Sequence, residues 1–127
     1  MKKINLVIAL VAISVFGSTA YAEVSLESKD QVQGTWKLKQ TRTSGKQPIE
    51  RQDTWVFKDG SVTILHIPRE GTFYDQPPVN FEVENGKLKV AILGRPTNFE
   101  TFTVETKDDK AMTLKGKFDT FYDFVKK

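Results

Sequence analysis

The 127-residue chain contains no cysteine and one histidine, His66. Without thiols there is no disulfide, no cysteine nucleophile, no thiolate ligand set and no lipid attachment through an N-terminal cysteine. A zinc site would have to be assembled from one imidazole and several converging carboxylates, which the spacing does not offer. Long apolar runs are also missing: the stretch from Leu6 to Phe16 is shorter than the roughly 20 residues needed to cross a bilayer. Charge of one sign is scarce as well, with 19 Lys and Arg against 16 Asp and Glu. No segment concentrates the basic face by which proteins hold nucleic acid. Repeats and low-complexity tracts are absent.

Among the features present, the N-terminus has the layout of a secretory signal: Lys2 and Lys3, the apolar run, then Gly17-Ser18-Thr19-Ala20-Tyr21-Ala22 ending in a small-x-small pattern. The expectation is a signal peptide over 1–22, cleaved after Ala22, and a periplasmic or secreted product with no stable membrane insertion. The net charge of +3 includes Lys2 and Lys3, so residues 23–127 carry only +1. An N-terminal arm over 23–32 is expected to precede one domain over 33–127, whose stability must come from a packed core rather than cross-links.

From Gly34 onward the apolar residues recur with period two, the pattern of half-buried strands. Asp59-Gly60 is a two-residue hairpin signal, and its register sets Phe57 opposite Val62 and Trp55 opposite Ile64. Asn85-Gly86 is a second, pairing Val83 with Leu88, Phe81 with Val90 and Val79 with Ile92, with Glu84 facing Lys87 and Glu82 facing Lys89 on the reverse side. A third hairpin around Lys107-Asp108-Asp109, with a three-residue loop, places Val104 opposite Met112 and Phe102 opposite Leu114. The pattern predicts eight strands, at 34–41, 52–58, 61–67, 79–84, 87–93, 99–106, 111–116 and 118–125.

Tight turns join strands two to three, four to five and six to seven. Longer segments, Arg42–Arg51, Pro68–Pro78 and Gly94–Asn98, join the others and hold all five prolines, where no ladder hydrogen bond is lost. In a meander, alternate connections lie at one end. The fold class expected is all-β: an eight-stranded antiparallel up-and-down barrel, closed at the tight-turn end and open at a loop-lined mouth.

Gly34-Thr35-Trp36, after a short polar arm and at the start of the first strand, resembles the Gly-x-Trp motif of lipocalins. Thr97-Asn98-Phe99-Glu100-Thr101-Phe102 is loosely similar to that family's Thr-Asp-Tyr-x-x-Tyr motif. The resemblance is to compact bacterial lipocalin-like (calycin) domains, and it implies that Gly34 and Trp36 belong to the closed end, with Trp36 as its plug. Lipocalins usually stack an Arg of the last strand on that Trp, whereas here only Lys126 and Lys127 are at hand. A weaker resemblance is to periplasmic metalloprotease inhibitors of the same barrel type, through Ser25-Leu26 ahead of Gly34-Thr35-Trp36-Lys37-Leu38. In that family the arm enters the protease cleft and a disulfide is normal, which this chain cannot form.

For chemistry the sequence offers little. His66 falls across from Asp53 in the Asp59-Gly60 register, on the inward side near the mouth. Such a pair could orient an imidazole toward a ligand or simply finish the strand ends. Asp108-Asp109 reads as a solvated loop, and Asp119 and Asp123 as outward, solubilising residues. Trp36, Trp55, Phe57, Phe81, Phe102, Phe118 and Tyr122 or Phe124 can all face inward, which suits a filled core or the lining of a cavity. The binding candidates are therefore Trp55, Phe57, Ile64, His66, Phe81 and Phe102 inside the barrel, with Phe73, Tyr74, Arg69 and Arg95 at the mouth. Arg42 and Arg51 join the last two in a cluster suited to carboxylate or phosphate.

The expected function is an exported, non-catalytic binding protein holding a small apolar or amphipathic molecule, its anionic head near the arginines, with no cofactor and no metal. The alternative is a protein–protein module of the envelope, an inhibitor or accessory factor with a solidly packed barrel that binds its partner through the arm or the Phe73-Tyr74 loop. An enzyme using Asp53 and His66 ranks below both.

Overall fold

A computed structural model describes residues 23–127. The expected signal peptide, 1–22, lies outside the described residues. The strands are β1 (Gly34–Thr43), β2 (Ile49–Glu50), β3 (Thr54–Lys58), β4 (Ser61–Arg69), β5 (Thr72–Glu84), β6 (Lys87–Ile92), β7 (Arg95–Lys107), β8 (Ala111–Lys115) and β9 (Thr120–Lys126). Each main strand pairs antiparallel with its sequence neighbour, and β9 returns to pair with β1. The result is a closed eight-strand barrel. The two-residue β2 is an accessory laid on β1, with Gln40 opposite Glu50.

The two hairpins with Asp-Gly and Asn-Gly turns have the expected register. Phe57 lies opposite Val62 and Trp55 opposite Ile64, while Val83 lies opposite Leu88 and Phe81 opposite Val90. Asp59 and Asn85 adopt positive φ of 53° and 54°, as such turns require. The second ladder ends at Phe81 and does not extend to Val79 and Ile92; Val79 pairs with Val62 instead.

The third hairpin differs. Asp108 Oδ1 accepts from the backbone N–H of Lys110 and Ala111 at 2.8 and 2.9 Å, which holds its carboxyl below the usual carboxylate range and caps the turn. A bulge at Glu105 then puts Val104 opposite Leu114 rather than Met112. This slip is by two residues, so every side chain keeps its face. Val104, Phe102, Met112 and Leu114 are all buried as expected.

Two of the three segments read as long loops are hairpins. Arg69 pairs with Thr72 across Glu70-Gly71, and Ile92 pairs with Arg95 across Leu93-Gly94. Gly71 and Gly94 supply φ of 82° and 83°, which a side chain would disfavour. Pro68, Pro77, Pro78 and Pro96 therefore lie inside strands, and of the five prolines only Pro48 stays in a loop. Pro77 and Pro78 occupy the register shift between Val62–Val79 and Ile64–Gln76, where a missing N–H breaks no ladder bond. Phe118, expected inward at the start of the last strand, has φ of 61° in the tight turn Lys117–Asp119. That turn rotates its ring out of the barrel, leaving it 83% exposed.

The closed end is built by the arm and the three tight turns. Val24 N–H donates to Val104 at 2.8 Å, and Leu26 N–H donates to Gly86 at 2.9 Å. Leu26 and Val32, the latter on a 3-10 turn over Lys29–Val32, are buried beneath the barrel. Trp36 is buried beside them and donates from Nε1 to the Val32 carbonyl at 2.9 Å. Lys126 lies over its ring with Nζ 4.8 Å from the centroid, and Lys107 approaches at 5.6 Å. Lysine thus occupies the place where lipocalins stack arginine. Gly34 makes room for it, since a Cβ there would come within 2.7 Å of Lys126 Cε.

Candidate functional site

Above this plug, the lower barrel is filled. Phe57 meets Phe81 edge-on at 5.0 Å, Trp55 meets Phe124 at 5.0 Å, and Leu38, Val62, Leu88, Val104, Met112 and Leu114 close the gaps. Phe57 and Phe81, expected as ligand lining, belong to this solid part.

The upper barrel is not filled. A cavity of about 390 Å³ opens at the mouth, lined by Trp55, Ile64, Tyr74, Gln76, Val90, Ala91, Ile92, Leu93, Glu100, Phe102 and Tyr122. That volume is within the range of small-molecule sites, about 300–1,000 Å³. Trp55, Phe102 and Tyr122 form an aromatic cluster, with centroids 5.9 Å apart for Trp55–Phe102, 6.4 Å for Trp55–Tyr122 and 5.5 Å for Phe102–Tyr122. Gly116 lets the last two approach the wall, since a Cβ there would press on both rings at 3.1 Å.

Polar groups in this cavity are few. Trp55 is 6% exposed, and its Nε1 has no hydrogen-bond partner among the described residues. Buried donors are rarely left so, because the lost hydration costs about 1–3 kcal/mol. Glu100 is partly buried and has no cation within salt-bridge distance among the described residues. Burial first, and the charge of Glu100 second, push the Tyr122 phenol above its ordinary value, with Arg51 opposing them. Tyr122 therefore keeps its proton and can donate.

Of the residues expected to form the site, the structure brings Trp55, Ile64, Tyr74 and Phe102 to one cavity. His66 is not among them. A bulge in β4 between Ile64 and Ile67 gives His66 a φ of 61° and turns it outward. There it stacks on Phe73 at 3.8 Å, and its backbone N–H donates to Asp75 at 2.9 Å. Asp53 is buried and held by Arg51 through two bonds of 2.9 and 2.8 Å. The Asp53–His66 pair expected from the register is thus not assembled.

The arginine cluster dissolves in the same way. Arg42 lies on the outer wall with Nε and Nη2 at 2.6 and 2.9 Å from Asp123, Arg51 is bound to Asp53, and Arg69 stacks on the Tyr74 ring at 4.1 Å. Arg95 is exposed at the Leu93-Gly94 hairpin. Asp123 also accepts from Gln40 and Thr113, both at 2.9 Å. It is therefore a tether joining β1, β8 and β9, not a solubilising residue, and the Arg42 guanidinium holds its carboxyl below the usual range.

Seven lining residues were not among the expected site residues: Gln76, Val90, Ala91, Ile92, Leu93, Glu100 and Tyr122. Glu100 was within reach, because the alternation that turns Phe102 inward also turns Glu100 inward.

Comparison with known proteins gives no matching family model and no matching curated protein. Among solved structures, a lipocalin-like protein from Bacteroides uniformis superposes with a TM-score of 0.62 at 17% identity, covering 76% of this chain and 99% of that one. An uncharacterized protein from Bacteroides eggerthii superposes at 0.60 with 16% identity, covering 75% of this chain and 98% of that one. At such identity the likeness speaks for architecture alone. In architecture, this chain is a lipocalin-like, eight-strand antiparallel barrel.

Proposed function

We propose that the protein is an exported, non-catalytic binding protein that takes a small, mainly apolar molecule into the mouth cavity above Trp55. The observation that carries this reading is the cavity of about 390 Å³ at the mouth, walled by the Trp55, Phe102 and Tyr122 rings. A small ligand's body would cover these aromatic walls while Gln76 and Tyr122 offer it polar partners. Catalysis through Asp53 and His66 is disfavoured because Asp53 is buried and bound by Arg51, while His66 is exposed and stacked on Phe73.

The test is native mass spectrometry of the protein purified from its own host, followed by denaturing release. A stoichiometric small molecule supports the reading. A bare mass, combined with no uptake of apolar fluorescent probes, contradicts it.

A second reading, a protein-binding module, is favoured by one observation. Around the mouth, Phe73, Leu93, Phe99 and Phe118 are exposed apolar side chains. The arm is a poorer candidate for a partner contact, since Leu26 and Val32 are buried in its own barrel. Charge substitutions at Phe73 and Phe118, neither of which lines the cavity, would abolish partner binding under this reading and leave small-molecule uptake intact under the first.

A further inference from the structure

We propose that the mouth cavity selects cations, taking a small aromatic or amphipathic amine whose apolar body lies among Trp55, Tyr74, Phe102 and Tyr122 and whose ammonium group approaches Glu100. The inference rests on the cavity-binding reading above and reverses the sign of the head group that the arginine-rich loops suggested.

Glu100 is the only residue in the lining that carries a formal charge. It has no cationic partner among the described residues, whereas the nearby arginines are otherwise engaged. Arg51 is held by Asp53, Arg42 by Asp123 and Arg69 by the face of Tyr74, while Arg95 does not line the cavity. An anionic ligand would enter against the Glu100 carboxylate with no free guanidinium to compensate, and a desolvated like-charge contact is costly.

A cation meets the opposite conditions. The carboxylate attracts it, and the Trp55, Phe102 and Tyr122 rings wall the same space. An ammonium over an aromatic ring is attracted by the ring quadrupole, more strongly as water is excluded.

The experiment compares three probes of one shape by calorimetry at neutral pH on residues 23–127: naphthylmethylamine, naphthylmethanol and naphthoate. The amine should bind about tenfold more tightly than the alcohol, with naphthoate weakest. In Glu100→Gln the amine and the alcohol should converge to within about twofold. The ranking on the unaltered protein needs no variant to fold. Equal affinities for amine and alcohol, a preference for naphthoate, or an amine preference that survives Glu100→Gln would each overturn the proposal while leaving cavity binding standing. Failure of all three probes to bind would overturn both.

Discussion

Trp36 and Trp55 lie directly opposite each other on neighbouring strands, yet they serve the two ends of the barrel in opposite ways. The Trp36 indole is matched on every side: its N–H reaches the Val32 carbonyl, and the stems and ammonium groups of Lys126 and Lys107 cover its ring. The Trp55 indole is surrounded by aromatic rings, but its N–H has no partner among the described residues. One end is a finished plug. The other is an aromatic wall beside an open cavity. The difference separates burial, which both residues have, from polar satisfaction, which only one has.

Several substitutions would break or sharpen this contrast. The largest effect is expected from Trp36→Ala, about 3–5 kcal/mol of lost stability, as for other aromatic core truncations. Trp36→Phe should cost about 1–3 kcal/mol, because it strands the Val32 carbonyl. Trp55→Phe removes a donor that already lacks a partner, and should cost at least about 1 kcal/mol less than Trp36→Phe. Urea midpoints of the three variants measure the ordering, and equal costs for the two Phe variants would erase the distinction.

The next effect concerns the walls. Asp123 has a folded pKa lowered by Arg42, Gln40 and Thr113. Its contribution is therefore present above the unfolded carboxylate value and disappears as pH falls through the folded one. Asp123→Asn should cost about 1–2 kcal/mol at neutral pH and flatten the acid limb of the stability profile below about pH 4. Tyr122 works in the other direction. Its raised folded pKa gives a contribution present below the unfolded phenol value, about 10, and lost as pH rises through the folded value. Tyr122→Phe should remove that alkaline loss, read by thermal unfolding across the range. The smallest effect should come from Lys126→Ala, about 0.5–1 kcal/mol from uncovering Trp36.

The barrel could be read from the sequence because period-two alternation and two Asp-Gly and Asn-Gly turns are local signals that agree with each other. The bottom of the barrel was legible too, with Gly34 and Trp36 where the lipocalin resemblance puts them. The misreadings cluster at bulges and left-handed residues. The β4 bulge turns His66 out, the Glu105 bulge shifts Val104 by two, and positive φ exposes Phe118. Each depends on how one backbone residue relaxes against its neighbours, which alternation does not encode.

Prolines misled in a related way. They were read as loop markers, whereas Pro77 and Pro78 mark a register shift inside a strand. The arginines look like a cluster along the chain because loops bring them near the mouth. Their side-chain partners, Asp53, Asp123 and Tyr74, are fixed only by tertiary packing.

The most direct measurement is the pair of indole N–H signals in the proton–nitrogen spectrum of residues 23–127, assigned with Trp55→Phe and followed during titration with naphthylmethanol. Binding at the mouth moves the Trp55 signal, as the probe comes against the indole that walls the cavity, and leaves the Trp36 signal in place. A Trp55 signal that stays fixed at saturating probe, or a Trp36 signal that moves in its stead, would contradict a ligand site above Trp55.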